Sequence, residues 1–134
     1  MTGPVAVRVV LDGAGARRLA ERTSRSLALI EALRGADLWP PIVPAIVLAD
    51  CLSGDVEQDA PVQALLQTCD IVTELPRSVC ERAAWLRTAA GRGPASDGVA
   101  VAMAEPGGAV LTSGRRIDIE AMALFADGVF VERI

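Results

Sequence analysis

Histidine, lysine, tyrosine and asparagine are absent from this chain of 134 residues. Without histidine, the side chain that most often serves as a catalytic base and as a zinc ligand is missing. All 13 basic residues are therefore arginine, and aromatic residues make up only 3% of the chain. Because 51% of the residues are hydrophobic, a core is attainable, but it must be built from Val, Leu, Ile and Ala.

An excess of positive charge, a long apolar run and an even set of cysteines are also missing. The net charge of −4 argues against a simple basic surface for nucleic acid. It still allows RNA binding if some of the acidic residues form a site that binds cations. The three cysteines lie in apolar helical patterns, which predicts buried thiols in a reducing cytosol.

No apolar run approaches ~20 residues and no signal core is present, which predicts a soluble cytoplasmic protein. The length predicts one domain over residues 1–134.

The most informative segment is Val5–Gly15, with the sequence VAVRVVLDGAG. Its valines and leucine predict a strand buried on both faces. Asp12 follows this strand, and the small residues after it permit a tight turn into a helix. A carboxylate at the carboxyl end of a central parallel strand lies where open α/β sheets bind ligands.

Helical and extended patterns alternate along the rest of the chain. They predict a three-layer α/β/α domain with a mostly parallel sheet of four to five strands. We predict strands over 42–46, 70–76, 109–113 and 129–131, and helices over 14–34 (broken near Thr23), 47–54, 61–69, 77–92, 94–104 (with Ala95 or Ser96 as the cap) and 117–126.

Three acids occupy comparable places in this order of elements. Asp12 follows the first strand, Asp50 lies one helical turn after the second, and Asp97 lies at a helix start before the AVLTS strand. Each acid alone is compatible with a turn or a helix cap. Converging carboxylates are tolerated when they share a divalent cation such as Mg²⁺ or Mn²⁺. A water bound to such a cation can attack a phosphodiester.

The segments that carry these acids resemble a known family. VVLDGAGARRLAE, VPAIVLADCLSG and ASDGVAVAMAEPGGAVLTSGRRIDIEAMA together are similar to a PIN domain of the VapC-type toxin class. The resemblance covers nearly the whole chain, and its most telling pieces are the PAIVLA segment ending in an acid and the GGAVLTS strand. It implies a metal-dependent endoribonuclease, the toxin of a type II toxin–antitoxin pair.

The resemblance also implies a set of site residues. Asp12, Asp50 and Asp97 match the first three acidic positions and would be the catalytic and metal-binding residues, although the family usually has Glu at the second. The fourth position departs from the family, because Gly114 stands where an aspartate is usual. Asp118 matches a secondary acidic position and would bind metal only if its loop bends back. The missing acid predicts a weakened site.

Substrate contacts and partners follow from the same resemblance. Thr112 and Ser113 would offer hydroxyl groups to phosphate or to metal-bound water, and Arg17 and Arg115 would contact RNA phosphate. An antitoxin could neutralise the acidic cleft with its own basic residues, and homodimers are common in the family. The alternative function is a catalytically degenerate module that binds an antitoxin or RNA without cleaving.

Other classes of α/β protein fit less well. A receiver domain needs a lysine after a later strand, and the chain has none. A phosphatase of the haloacid-dehalogenase type needs a second acid at the position that Ala14 occupies. A Rossmann nucleotide site needs a fuller glycine fingerprint than DGAGARR. A purely structural or interaction module remains open.

Overall fold

The computed structural model describes residues 8–134 and contains a five-stranded sheet in which every strand pair is parallel. The sheet confirms the predicted α/β class and has the strand order β3-β2-β1-β4-β5. Residues 5–7 of the predicted first strand lie outside the described part. The strands are β1 (Val9–Leu11), β2 (Ile42–Pro44), β3 (Asp70–Val72), β4 (Ala109–Thr112) and β5 (Phe130–Arg133).

Seven helices within residues 8–134 cover both faces of the sheet, which confirms the three-layer arrangement. They are α1 (Gly13–Ala20), α2 (Ser24–Gly35), α3 (Ala45–Cys51), α4 (Val56–Leu66), α5 (Arg77–Ala90), α6 (Ala95–Ala104) and α7 (Ile117–Ala123). None of these helices is long and apolar enough to cross a bilayer.

Alternation along β1 divides the core into two layers. Val9 and Leu11 pack in a cluster with residues of α1 to α4, whereas Val10 packs with residues of α5 to α7. This is the two-residue period expected of a strand buried on both faces. The aliphatic composition of the chain supplies both clusters.

The predicted break in the first helical region is confirmed. α1 ends at Ala20, and Thr23 begins α2 as its N-cap by accepting a hydrogen bond of 3.1 Å from the Ser26 amide. Between the two helices Arg22 has a φ of 56°, a left-handed conformation that a right-handed helix cannot include. The break therefore rests on a local capping interaction visible in the sequence.

The predicted start of a helix at Pro61 is wrong, because α4 begins five residues earlier at Val56. Asp55 fixes this earlier start by accepting a hydrogen bond of 2.9 Å from the Gln58 amide. Asp59 adds to it by accepting hydrogen bonds from the Ser53 and Gly54 amides. Pro61 lies inside the helix, where it cannot donate to the carbonyl four residues earlier.

The carboxyl ends of β1 and β4 meet at the amino end of α1. Gly15, in the first turn of α1, approaches β4 so closely that a Cβ at this position would lie 2.2 Å from the Leu111 carbonyl oxygen. Only glycine permits this approach, since the clash would be with backbone. The small residues after Asp12 are thus required by helix packing as well as by the turn.

We expect Gly15→Ala to lower the free energy of unfolding by about 1–3 kcal/mol, because the added methyl group forces α1 away from β4. The matched control is Gly35→Ala at the end of α2, where nothing lies within 4 Å of an added Cβ. That change should leave stability unchanged or raise it by up to about 1 kcal/mol. Urea denaturation measures both, and equal stabilities would contradict the close packing of α1 on β4.

Candidate functional site

The acidic edge is the edge of the sheet, at the carboxyl end of β1, where Asp12, Asp50 and Asp97 lie, and Asp12 is its buried centre. Its residue is only 1% exposed, and it caps α1 by accepting a hydrogen bond of 2.8 Å from the Gly15 amide at Oδ1. Its other oxygen, Oδ2, accepts a hydrogen bond of 2.7 Å from the Thr112 hydroxyl at the end of β4. Both carboxylate oxygens are therefore already bonded within the protein.

Asp97 lies in the first turn of α6 and is also buried. Its partner is Arg116, whose Nη2 donates to Oδ1 at 2.8 Å and to Oδ2 at 2.9 Å. The second terminal nitrogen of Arg116, Nη1, lies 3.4 Å from Asp12 Oδ2. One guanidinium group thus bridges the two buried carboxylates.

Burial and charge shift the pKa values of this ion pair. Burial raises the pKa of Asp97, Arg116 offsets part of the rise, and Asp12 and Asp50 add to it. Burial acts to lower the pKa of Arg116, but Asp97 and Asp12 outweigh it and raise that pKa above its ordinary value. Because folded Asp97 holds its proton more tightly than the unfolded chain does, its ionisation costs stability as the pH rises above 3.8.

Asp50 lies on the same edge as the two buried acids but is itself exposed. It packs against the amino end of α1, since a Cβ at Gly13 would lie 2.9 Å from the Asp50 Cβ. Its backbone oxygen accepts a hydrogen bond of 2.6 Å from Arg17 Nη1. The structure therefore brings Asp12, Asp50 and Asp97 to one edge, with Asp50 at its solvent side.

The remaining acidic positions do not complete this group. Gly114 carries no side chain, and its φ of 72° places it in the left-handed region, with open space around it. Asp118 lies in the first turn of α7 and pairs with Arg92, whose Nε lies 2.6 Å from Asp118 Oδ1. The side chain that reaches the acidic edge from this segment is Arg116, a base.

The predicted substrate contacts separate into two groups. Thr112 is fully buried and its hydroxyl is used by Asp12. Arg17 and Ser113 line a shallow cavity of about 210 Å³ together with Ala14, Arg18, Glu21 and Gly114. Arg115 is exposed and directly follows Gly114, the last of these cavity residues in the sequence.

A divalent cation does not fit the acidic edge in this arrangement. Mg²⁺ requires oxygen ligands in near-octahedral geometry, but both oxygens of Asp97 are bonded to Arg116 Nη2, and Arg116 Nη1 lies 3.4 Å from Asp12 Oδ2. Within residues 8–134, no group of three or more His, Cys, Asp or Glu side chains is arranged to hold a metal ion. The guanidinium of Arg116 supplies positive charge where the cation was expected.

Arg116 is the residue that sequence reasoning missed, since Arg115 was assigned to phosphate instead. A signal was present in the sequence: in the segment TSGRRID, Gly114 stands where the resemblance implies an acid, and two arginines follow it directly. Which of the two bases turns inward depends on the backbone path after Gly114, and the sequence pattern does not show that path.

Comparisons with known proteins identify the fold and nothing finer. No family model matches the sequence, and no curated protein matches it significantly. Among solved structures, the chain is similar to PAE2754 from Pyrobaculum aerophilum, with a TM-score of 0.62 and 11% identity. The match covers 95% of this chain and 92% of that one. At this identity the likeness supports the three-layer fold alone.

We expect Arg116→Gln to raise the pKa of Asp97 further, because Arg116 lowers that pKa while Asp12 and Asp50, which raise it, remain. Arg115→Gln removes the same charge from an exposed neighbour and should leave the pKa of Asp97 nearly unchanged. A carboxyl-carbon NMR titration of Asp97 measures both effects. If the two variants behave alike, Arg116 is not paired with Asp97 in solution.

Proposed function

We propose that this protein is a PIN-like module of the VapC type that binds RNA without cleaving it. The observation that carries the proposal is the ion pair of Arg116 with both Asp97 and Asp12. A guanidinium between these carboxylates leaves them without the free oxygens that a catalytic cation needs. The resemblance of the sequence to VapC-type PIN domains suggests RNA as the ligand class.

The cavity beside the acidic edge supports phosphate as the group that is bound. Arg17 and Arg18 contribute charge, Ser113 contributes a hydroxyl group, and the Gly114 backbone completes the wall. Arginine, hydroxyl and backbone amide groups are the usual partners of nucleic-acid phosphates. Arg18 is partly neutralised by Glu21, whose Oε2 lies 3.0 Å from Arg18 Nη1. Arg17 has no carboxylate partner among the described ion pairs and is the main cationic group of this cavity.

Arg116 also makes the acidic edge less repulsive to RNA. Asp12 and Asp97 would together present two negative charges close to the Arg17 cavity. Pairing with Arg116 reduces that net charge by one, which weakens the repulsion of an approaching phosphate. The same residue therefore disfavours cation-dependent cleavage and favours the approach of an anion.

A metal-dependent endoribonuclease is the second candidate function. It is favoured by the placement of Asp12, Asp50 and Asp97 at one sheet edge, the arrangement that the resemblance implies. An antitoxin and a second copy of the chain are the partners expected with this candidate. Both candidates place the protein in the cytoplasm, where its RNA ligand would be.

We expect Arg17→Gln to weaken binding of single-stranded RNA by about tenfold, because a charged hydrogen bond to phosphate is lost. The slope of log affinity against log salt should fall by roughly 0.7 for the lost contact. Arg8→Gln is the matched control, since Arg8 is an exposed arginine that precedes β1 at the opposite edge of the sheet. Fluorescence anisotropy at several salt concentrations measures both, and equal losses in the two variants would contradict the proposed cavity.

A cleavage assay separates the two candidate functions. We expect no RNA cleavage above background with Mg²⁺ or Mn²⁺, and no difference when a chelator is added. Cleavage that is abolished by the chelator and by Asp97→Ala would favour the nuclease and overturn the non-cleaving proposal. The assay uses the same RNA as the anisotropy measurements, so that binding and cleavage refer to one ligand.

A further inference from the structure

We propose that Arg116 acts as an internal cation that excludes divalent metal ions from the acidic edge, and that removing its charge turns the edge into a cation site. This inference deepens the proposed function and rests on its claim that the edge holds no metal ion. It concerns how one side chain excludes metal ions, and it does not depend on which RNA is bound.

The geometry around Arg116 supports a direct competition with a cation. Nη2 contacts both oxygens of Asp97, and Nη1 faces Oδ2 of Asp12. The two carboxylates therefore point toward one common space, which the guanidinium fills. A metal ion that uses these oxygens has to displace Arg116 first.

The charge balance points the same way. Asp12 and Asp97 carry two negative charges, and Arg116 compensates one of them with a group that stays protonated at all ordinary pH values. Removing Arg116 leaves two buried carboxylates without a counter-charge, which is strongly unfavourable. A divalent cation with its remaining waters would relieve this cost, since Mg²⁺ and Mn²⁺ sites often use only one or two carboxylates.

The surroundings would hold the ligands in place after Arg116 is removed. Asp12 stays anchored by the Gly15 amide and the Thr112 hydroxyl, so its position does not depend on Arg116. Asp97 stays in the first turn of α6, where the helix dipole favours a carboxylate. Arg116 itself immediately precedes α7, and its side chain is only 25% exposed, so Gln is chosen as the replacement because it removes the charge but keeps part of the buried aliphatic stem.

The test is a Mn²⁺ titration followed by electron paramagnetic resonance, which reports the free ion. We expect Arg116→Gln to bind Mn²⁺ at least about tenfold more tightly than the wild type, because a repelling positive charge is removed from the site. Arg115→Gln removes the same formal charge from the exposed neighbour and should show no gain. Adding Asp97→Asn to Arg116→Gln should abolish the gain.

Three outcomes would overturn the inference. The first is wild-type protein that binds Mn²⁺ as tightly as Arg116→Gln. The second is folded Arg116→Gln protein, checked by circular dichroism, that gains no more than Arg115→Gln. If Arg116→Gln does not fold, NMR spectra of the wild-type protein with Mn²⁺ decide the question. Selective broadening of the Asp12 and Asp97 signals is the third overturning outcome. If these signals are not broadened, the result supports the inference. If the wild-type protein does not bind RNA but the Mn²⁺ titrations give the expected result, only RNA as the proposed ligand is wrong and the inference about Arg116 stands.

Discussion

The buried carboxylate of Asp12 is the constraint on which the site depends. A buried charge is tolerated only when it is paired and hydrogen-bonded, and Asp12 obtains its partners from three separate parts of the chain. Gly15 in α1 and Thr112 in β4 donate hydrogen bonds to it, and Arg116 lies 3.4 Å away. Because Asp12 follows β1 and its partners come from α1, from β4 and from the segment before α7, its carboxylate joins the amino end of α1 to the carboxyl ends of β1 and β4.

Neutralisation of the acidic edge comes from within the chain. The sequence resemblance implies that a metal ion, or the basic residues of an antitoxin, would compensate the acids. Here Arg116 provides the positive charge, and Gly114 removes the carboxylate that would have added to the negative charge. A glycine in place of the implied acid and an inward-facing arginine both disfavour cation binding. The two positions lie two residues apart in one segment, so one short stretch contributes both features to the electrostatics of the edge.

The sequence predicted those parts of the molecule that depend on local patterns. The run of Val and Leu residues before Asp12 places β1, and the Thr23 cap separates α1 from α2, because both signals act over a few residues. The predicted start of α4 was wrong because proline is common at the first position of a helix, which favoured Pro61, whereas the cap at Asp55 begins the helix earlier. The role of Arg116 could not be predicted, since it pairs with Asp97 across 19 residues and its direction depends on the backbone path after Gly114.

The end of β4 connects the acidic edge with the arginine-lined cavity. Thr112 points into the core and donates to Asp12, whereas the next residue, Ser113, is half-buried and lines the cavity with Arg17. This is the alternation of an extended chain, in which neighbouring side chains point to opposite sides. A phosphate bound beside Ser113 would therefore lie one residue from the group that anchors Asp12. It would be repelled by that acid unless the acid were already compensated. Pairing of the acids with Arg116 would therefore favour the proposed binding of an anion at Arg17, and a bound anion would in turn favour the pairing.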